Sequence, residues 1–334
     1  MTFLPTGEQR AFARSLDAML TAADTPAAVR AWAGDDPGPG RALWGRLAEA
    51  GVCALAVPEE YEGTGLLPVE LAHAFVELGR HAVPGPVVET VATTVLLGEL
   101  ARLGDPDPAK RLLPALATGE RTATLAIAGA EGVRHSVPYA LDADRADTVL
   151  VVRGEELWRA PGHGQVRGSA DPARRLARPA PGGELLAKGP AVAVAAGQAR
   201  RWAMLATAAQ SLGVGLALLD RTVAYARQRS QFGTPIGAFQ AVKHRLADTL
   251  LALEFARPLL FGAAVTMTPG DLAAAKVTTG EAGYTAARTA LQIHGAIGYT
   301  EEPALSLWLR KARPLRDAWG DPAACRAAVL GAYS

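Results

Sequence analysis

The stretch Tyr225-Ala-Arg-Gln-Arg-Ser-Gln-Phe-Gly-Thr-Pro-Ile-Gly-Ala-Phe-Gln-Ala-Val-Lys-His-Arg-Leu-Ala-Asp248 decides the reading of this chain. An arginine-rich helical run ends near Arg229, a turn built on Gly233 and Pro235 follows, and a second helical run opens at Phe239-Gln240. The glycine supplies the backbone freedom that a sharp reversal needs. A guanidinium placed just past a helix end, as Arg229 is, has the fork geometry to hold pyrophosphate oxygens two at a time. Phe232 offers a flat face to adenine or ribose, and Gln231 can add a hydrogen bond. Taken alone, these residue types more often end as a surface arginine and a core phenylalanine.

Helical pattern extends on both sides of this turn. Gln198 to Arg227 forms one run, and Phe239 to Phe261 another, with Phe239, Val242, Leu246, Leu250 and Leu253 on one face. Asp271 follows Pro269-Gly270 as the N-cap of a run reaching Ile293, and Pro303 to Ala312 is the next. Long helices joined by short turns indicate a bundle. Upstream, Gly7 to Thr21 carries Phe12, Leu16 and Leu20 on one stripe. Leu43 to Ala50 ends at Gly51, Val69 to Leu78 ends at Gly79, and a further helix spans Val87 to Leu103. Between these helical regions the character changes. Thr122–Ala128, Thr148–Val152, Glu155–Arg159 and Ala191–Ala195 read as short strands separated by Gly-, Pro- and Arg-rich turns.

Composition bounds the function. Of the 334 residues 49% are apolar, enough for a substantial core, and the net charge is +1. That balance excludes a dedicated nucleic-acid surface. Two distant cysteines, Cys53 and Cys325, do not make a disulfide framework, and the scattered histidines lack ligand spacing, so no metal site is expected. No basic, apolar leader stands at Met1-Thr2-Phe3-Leu4-Pro5, and no run reads as a spanning helix. The expectation is a cytoplasmic chain without membrane association.

A second segment, Gln292-Ile-His-Gly-Ala-Ile-Gly-Tyr-Thr-Glu-Glu-Pro303, follows in the bundle, and Trp44-x-x-Leu-Ala-Glu-x-Gly and Val57-Pro-Glu-Glu-Tyr61 stand upstream. With the order helices, small β region, bundle, these segments resemble the acyl-CoA dehydrogenase family over most of the chain. The resemblance implies a mostly α fold with a small β domain. Its parts are an N-terminal helical domain (1–119), a middle β-barrel-like domain (120–192) and a C-terminal four-helix bundle (193–334). It implies FAD, shared across a subunit interface. Arg229, Gln231 and Phe232 would hold the ADP half of a cofactor bound mainly by the neighbouring subunit, and Gln292, Gly295 and Ala296 would meet the same cofactor. Ala296 replaces the family's second glycine.

The chain departs from the family where the chemistry lies. The family reaction removes the α-proton of an acyl-CoA thioester with a carboxylate while the β-hydride passes to flavin. After Arg310-Lys-Ala-Arg313, counting onward places Trp319-Gly320-Asp321 at the family's Glu-Gly-Thr, so tryptophan occupies the base position. The alternative position, on the first bundle helix, is Ala203, and Gly197 to Leu219 contains no Asp or Glu. Losing a general base forfeits roughly 10²–10⁴-fold in rate. Ile127-Ala-Gly-Ala-Glu-Gly-Val133 and Tyr139-Ala140-Leu141 stand where the family has its flavin-binding landmarks, and Asp321 and Ala323 align with the threonine and glutamine that follow the base.

The leading expectation is therefore a subunit that lacks its own base and completes the FAD site of a catalytic acyl-CoA dehydrogenase partner in an oligomer. Three alternatives stand beside it. One is a self-sufficient dehydrogenase with a base relocated to Glu301, Glu302, Asp317 or Asp321. The others are a flavin-dependent monooxygenase on the same fold and an acyl-CoA-binding scaffold without turnover.

Overall fold

The computed structural model describes residues 5–128, 138–300 and 304–333. In chain order it contains α1 (Gly7–Thr21), α2 (Thr25–Ala33), α3 (Gly38–Glu49), β1 (Ala56–Val57), β2 (Gly65–Leu66), α4 (Pro68–Arg80), α5 (Val87–Arg102) and α6 (Asp107–Ala117). The strands β3 (Ala123–Ile127), β4 (Ala140–Leu141), β5 (Thr148–Arg153), β6 (Glu156–Arg159), β7 (Leu176–Ala177) and β8 (Glu184–Lys188) follow. The chain then forms α7 (Pro190–Gln228), β9 (Ser230–Gln231), β10 (Thr234–Pro235), α8 (Gln240–Thr266), α9 (Pro269–His294), α10 (Leu305–Asp317) and α11 (Pro322–Tyr333). Two compact units result. One comprises Met1–Pro26, Ala72–Val83 and Met204–Ser334, the other Ala27–Leu71 and Pro84–Ala203.

In the first unit, glycines set how closely helices cross. A Cβ built on Gly213 of α7 would overlap the Val76 carbonyl of α4, and one on Gly79 would overlap the Gln210 carbonyl. On another side of α7, a Cβ on Gly283 of α9 would lie 2.6 Å from the Ser211 oxygen, and one on Gly215 would lie 3.0 Å from the Gly283 Cα. Gly79, expected to end a helix, is instead inside α4, because its missing side chain admits α7. The expected N-cap Asp271 is also corrected. Thr268 caps α9, its Oγ1 accepting the Asp271 N–H, while the Asp271 carboxylate accepts from the hydroxyls of Thr266 and Thr268.

Helix α8 departs further from expectation. Of the face anticipated as core, Leu253 is buried, Val242 and Leu246 are partly buried, and Phe239 and Leu250 are exposed. Leu251, Phe255 and Leu259, spaced i, i+4, i+8, also face solvent. Both α7 and α8 are long and apolar enough to cross a membrane by length and composition, contrary to the expectation. The apolar window of α7 is 94% buried within the protein, that of α8 only 39%.

In the second unit, a four-stranded sheet of order β3-β5-β6-β8 pairs β3 with β5 in parallel and the remaining neighbours antiparallel, beside the two-stranded β4-β7. Thr90 of α5 donates its hydroxyl to the Ala123 carbonyl at 2.8 Å, docking helix on sheet. The Trp44 indole donates to the Gly119 carbonyl at 3.1 Å. The strand expected at Ala191–Ala195 is the first turn of α7. Its Val192, Ala195, Ala196 and Ala199 are buried at helical spacing, so the alternating sequence concealed a period of 3.6.

Two measurements test this packing. Gly213→Ala should lower stability by about 3 kcal/mol in urea titrations, because a methyl has no room between α7 and α4. Glu77, on α4, is pushed up to about 7 by burial and by Asp17, against the opposing charges of Arg80 and Arg257. From pH 4.5 to 7 the folded chain thus keeps a proton that the unfolded chain has lost, and stability from this group falls as pH rises through that window. Glu77→Gln should remove that slope, gaining on the order of 2 kcal/mol at pH 8 and little at pH 4.

Candidate functional site

The turn after α7 is a two-residue hairpin. Gln231 pairs with Thr234 and Ser230 with Pro235, leaving Phe232 and Gly233 as the loop, at φ +54° and +77°. Both residues are left-handed, as a type I′ turn requires, and Asn-Gly is the usual solution. A phenylalanine there costs on the order of 1 kcal/mol. The cost is not offset by burial, for Phe232 is 93% exposed, its ring meeting that of Phe239 edge-on at 6.4 Å.

Arg229 is held at both ends of its peptide unit. Its N–H donates to the Tyr225 carbonyl at 2.9 Å, and its carbonyl accepts from Ile236 N–H at 2.8 Å. Its exposed guanidinium makes no hydrogen bond or ion pair with another described residue. Gln231 is exposed beside it. At the end of α9, Gln292 is exposed, and Gly295 terminates the helix at φ 62°, ψ −139°, a conformation reserved for glycine. Gly295 and Ala296 open the 3₁₀ turn Gly295–Tyr299, and both are exposed.

The two segments are brought together by residues that the sequence reading missed. The Tyr225 ring stacks on the His294 ring at 4.1 Å and 21°, and His294 Nδ1 lies 2.8 Å from the Ala290 carbonyl oxygen. Burial holds the His294 pKa below its ordinary value. The stack joins the last turns of α7 and α9, so Arg229, Gln231, Phe232, Gln292, Gly295 and Ala296 share one end of this unit. Nothing in hydrophobic periodicity signals such a pair; the only clue was that both rings sit inside the two quoted motifs.

The expected base loop is ordered by a buried lysine. Lys276 of α9 is 1% exposed, and its Nζ donates to the carbonyls of Arg316 at 2.8 Å and Gly320 at 3.1 Å. Burial lowers its pKa to about 8. Trp319 is half-buried at φ +55°. Asp321 accepts from the N–H groups of Ala323 and Ala324 at the start of α11, so it is a helix cap, and Asp317 is exposed.

This geometry has relatives. The sequence matches the acyl-CoA dehydrogenase N-terminal domain over residues 6–120 and the acyl-CoA dehydrogenase C-terminal domain over residues 189–326. This chain belongs to the acyl-CoA dehydrogenase family of flavoprotein oxidoreductases. It is 35% identical over 309 residues to the acyl-CoA dehydrogenase IpdE2 of Mycobacterium tuberculosis, covering 91% of each chain. The IpdE2 of Mycolicibacterium smegmatis is 31% identical over 317 residues, 94% of this chain and 95% of that one. Among solved structures, the ChsE4-ChsE5 complex from Mycobacterium tuberculosis has the same fold, with a TM-score of 0.83 at 24% identity over 100% of this chain and 99% of that chain. Glutaryl-coenzyme A dehydrogenase matches with a TM-score of 0.82 at 20% identity, covering 99% and 96%.

The segments that the sequence reading set against the family's flavin-binding landmarks lie as follows. Ala140 and Leu141 are buried in β4, and the Tyr139 ring lies under the guanidiniums of Arg178 and Arg167, at 5.2 and 6.0 Å. The following Asp142 is fully buried. Its Oδ1 accepts from Arg175 N–H at 3.2 Å, and burial raises its pKa to about 7. Ala203 is fully buried within α7. Residues Gly129–Val133 of the remaining landmark, and the candidate acids Glu301 and Glu302, lie outside the described residues.

Phe232→Asn should raise thermal stability by an amount equivalent to about 1 kcal/mol, since Asn suits the left-handed loop position. Calorimetry of the purified chain reads this. An unchanged or lowered melting temperature would show that the phenylalanine stabilises the hairpin.

Proposed function

We propose that this chain is a base-lacking subunit of a heteromeric acyl-CoA dehydrogenase and completes the FAD site of a catalytic partner. One observation carries the reading: six groups suited to a dinucleotide face solvent at one end of the unit, and the sequence count that puts Trp319 and Ala203 at the family base positions supports it. Arg229 would pair with the pyrophosphate, Phe232 would lie on the adenine or ribose, and Gln231 and Gln292 would add hydrogen bonds. The backbone at Gly295 and Ala296 would approach closely. FAD bound there supplies the acceptor for hydride during α,β-dehydrogenation of an acyl-CoA thioester.

Further support comes from what the surface leaves uncovered. Leu250, Leu251, Phe255 and Leu259 form an exposed apolar face on α8, the kind of feature found at interaction surfaces. The solved ChsE4-ChsE5 and Tcur3481-Tcur3483 proteins, which share the fold, are themselves named as pairs of chains. The acids proposed for a relocated base fare poorly where they are described: Asp321 is engaged as a cap, and Asp317 is solvated.

The test is co-expression with a family member encoded beside this chain. Flavin absorbance and dehydrogenation should appear in the co-purified pair and not in this chain alone. Arg229→Ala in this chain should weaken FAD retention by the pair about tenfold or more, through loss of charge-assisted bonds. A yellow homomer that dehydrogenates acyl-CoA unaided would sink the proposal.

A further inference from the structure

A cluster of metal-ligating side chains in the first unit serves neither the dinucleotide clamp nor the base loop. Glu77 of α4 and His81 just past it stand four residues apart. The His81 N–H donates to the Glu77 carbonyl at 3.0 Å, so the helical ladder still holds there and one face carries both side chains. Asp17 of α1 meets them from the neighbouring helix. Its Oδ1 lies 2.8 Å from His81 Nε2, although the two residues are 64 positions apart in sequence. One ligand atom from each of the three falls within 4.8 Å of the others. The expectation of no metal site rested on spacing along the chain, which cannot show a set assembled from two helices.

The scaffold around the three is fixed. Trp308 donates its indole N–H to the Arg80 carbonyl at 2.8 Å, holding the end of α4, and the buried Leu16 and Leu20 seat α1 in the core. Glu77 Oε2 is shut off from solvent and accepts no hydrogen bond from a described residue, with Arg80 Nε standing 3.5 Å away. A buried carboxylate oxygen in that state is unfavourable, and a bound ion is one of the few things that satisfies it. The neighbouring cations have partners of their own. Arg80 Nη2 bonds Asp220 at 3.0 Å, and Arg257, whose charge also reaches Glu77, pairs with Glu254 at 3.0 Å. Arg221 lies over the Trp308 ring, 3.8 Å from its centre. Two carboxylates and an imidazole are left for a dication. Asp17 and His81 open onto a cavity of about 340 Å³, walled in part by the small side chains of Thr21, Ala217 and Ala224, which gives an ion a path of entry.

We propose that Asp17, Glu77 and His81 form a binding site for a divalent transition-metal ion such as zinc. The ion replaces the hydrogen between Asp17 and His81 and takes the orphaned Glu77 Oε2 as its third ligand. Ligand atoms about 2.0–2.2 Å from a tetrahedral zinc stand roughly 3.3–3.6 Å apart, so small side-chain rotations close the set. An imidazole with two carboxylates suits zinc, cobalt or nickel, whereas magnesium and calcium take oxygen shells. Water from the cavity fills the remaining position, and the ion clips α1 to α4. The site needs neither flavin nor a partner subunit, so it stands or falls separately from the shared-cofactor reading.

The untagged full-length chain, stripped of metal with a chelator, is titrated with zinc, cobalt, magnesium and calcium chlorides. Calorimetry, thermal unfolding and the visible absorption of cobalt are the readouts. Zinc should bind as a single ion per chain and raise the melting temperature, because it binds the folded state alone. Cobalt should develop the visible bands of a nitrogen- and oxygen-ligated site, while magnesium and calcium at the same concentration should bind without effect on melting or not at all. Asp17→Asn and Glu77→Gln keep side-chain shape, and each should weaken zinc binding by about tenfold or more, since even the loss of a group behind a ligand does so. His81→Ala should abolish the cobalt bands. Unchanged circular dichroism shows that these variants remain folded. His163→Ala, an exposed histidine of the second unit, should bind zinc as the parent chain does. Absence of zinc binding would overturn the proposal, as would equal stabilisation by magnesium. Zinc affinity that survives Asp17→Asn and Glu77→Gln, or that falls as far in His163→Ala, would overturn it too.

Discussion

Carbonyl oxygens packed against glycine Cα atoms set the geometry of the first unit. Val76 oxygen faces Gly213, Gln210 oxygen faces Gly79, and Ser211 oxygen faces Gly283. A helix pair separated by ordinary side chains lies 8–10 Å apart. Glycines remove the side-chain layer and let α7 run close to α4 on one side and α9 on the other. The consequence appears at the far end of α7 and α9. There the Tyr225 and His294 rings meet face to face, and the two cofactor-like segments become one surface. Close backbone packing at these glycines, together with the buried leucines around them, therefore positions Arg229 and Gln292.

The sequence revealed the parts whose physics is local. A helix end, a glycine turn and a helix start are written in consecutive residues, and Arg229, Phe232 and Gly295 fall where their motifs put them. The uncovered face of α8 was not legible, because periodicity reports that a face is apolar and not what covers it. The first turn of α7 was misread as strand because Ala-Val-Ala-Val-Ala satisfies both a period of two and a period of 3.6. Gly79 read as a helix stop because a glycine serving a helix crossing and a glycine ending a helix look the same without the partner helix. The Tyr225–His294 stack is a contact between residues far apart in sequence, which no one-dimensional pattern encodes.

The loop around Trp319 separates scaffold from chemistry. Lys276 spends a buried ammonium on the Arg316 and Gly320 carbonyls, and Asp321 caps α11. Burying that charge is unfavourable, as its lowered pKa records, yet the two carbonyl bonds fix the chain on both sides of Trp319. The backbone of the loop where the sequence count expected a carboxylate is thus kept in order around an indole. An idle loop under no constraint would not need a buried lysine to hold it. Trp319 in a left-handed conformation, like Phe232 in its hairpin, is a bulky residue at a position where a smaller one would be less strained.

That pairing of strain and exposure separates a working surface from an eroded one. A chain that had lost its role would be free to replace Phe232 by Asn and the α8 leucines by polar residues, each change relieving strain or improving solubility. Instead Phe232 is 93% exposed at φ +54°, and the apolar face of α8 is open to solvent. Costs of this kind persist where something outside the chain repays them. For Phe232 the candidate is the stacking face of a dinucleotide, and for α8 it is a protein surface of matching apolar character. Both lie in the same compact unit as Arg229 and Gln292. Under the proposed function, one docking event covers the helix and brings the clamp to a cofactor held by the partner subunit.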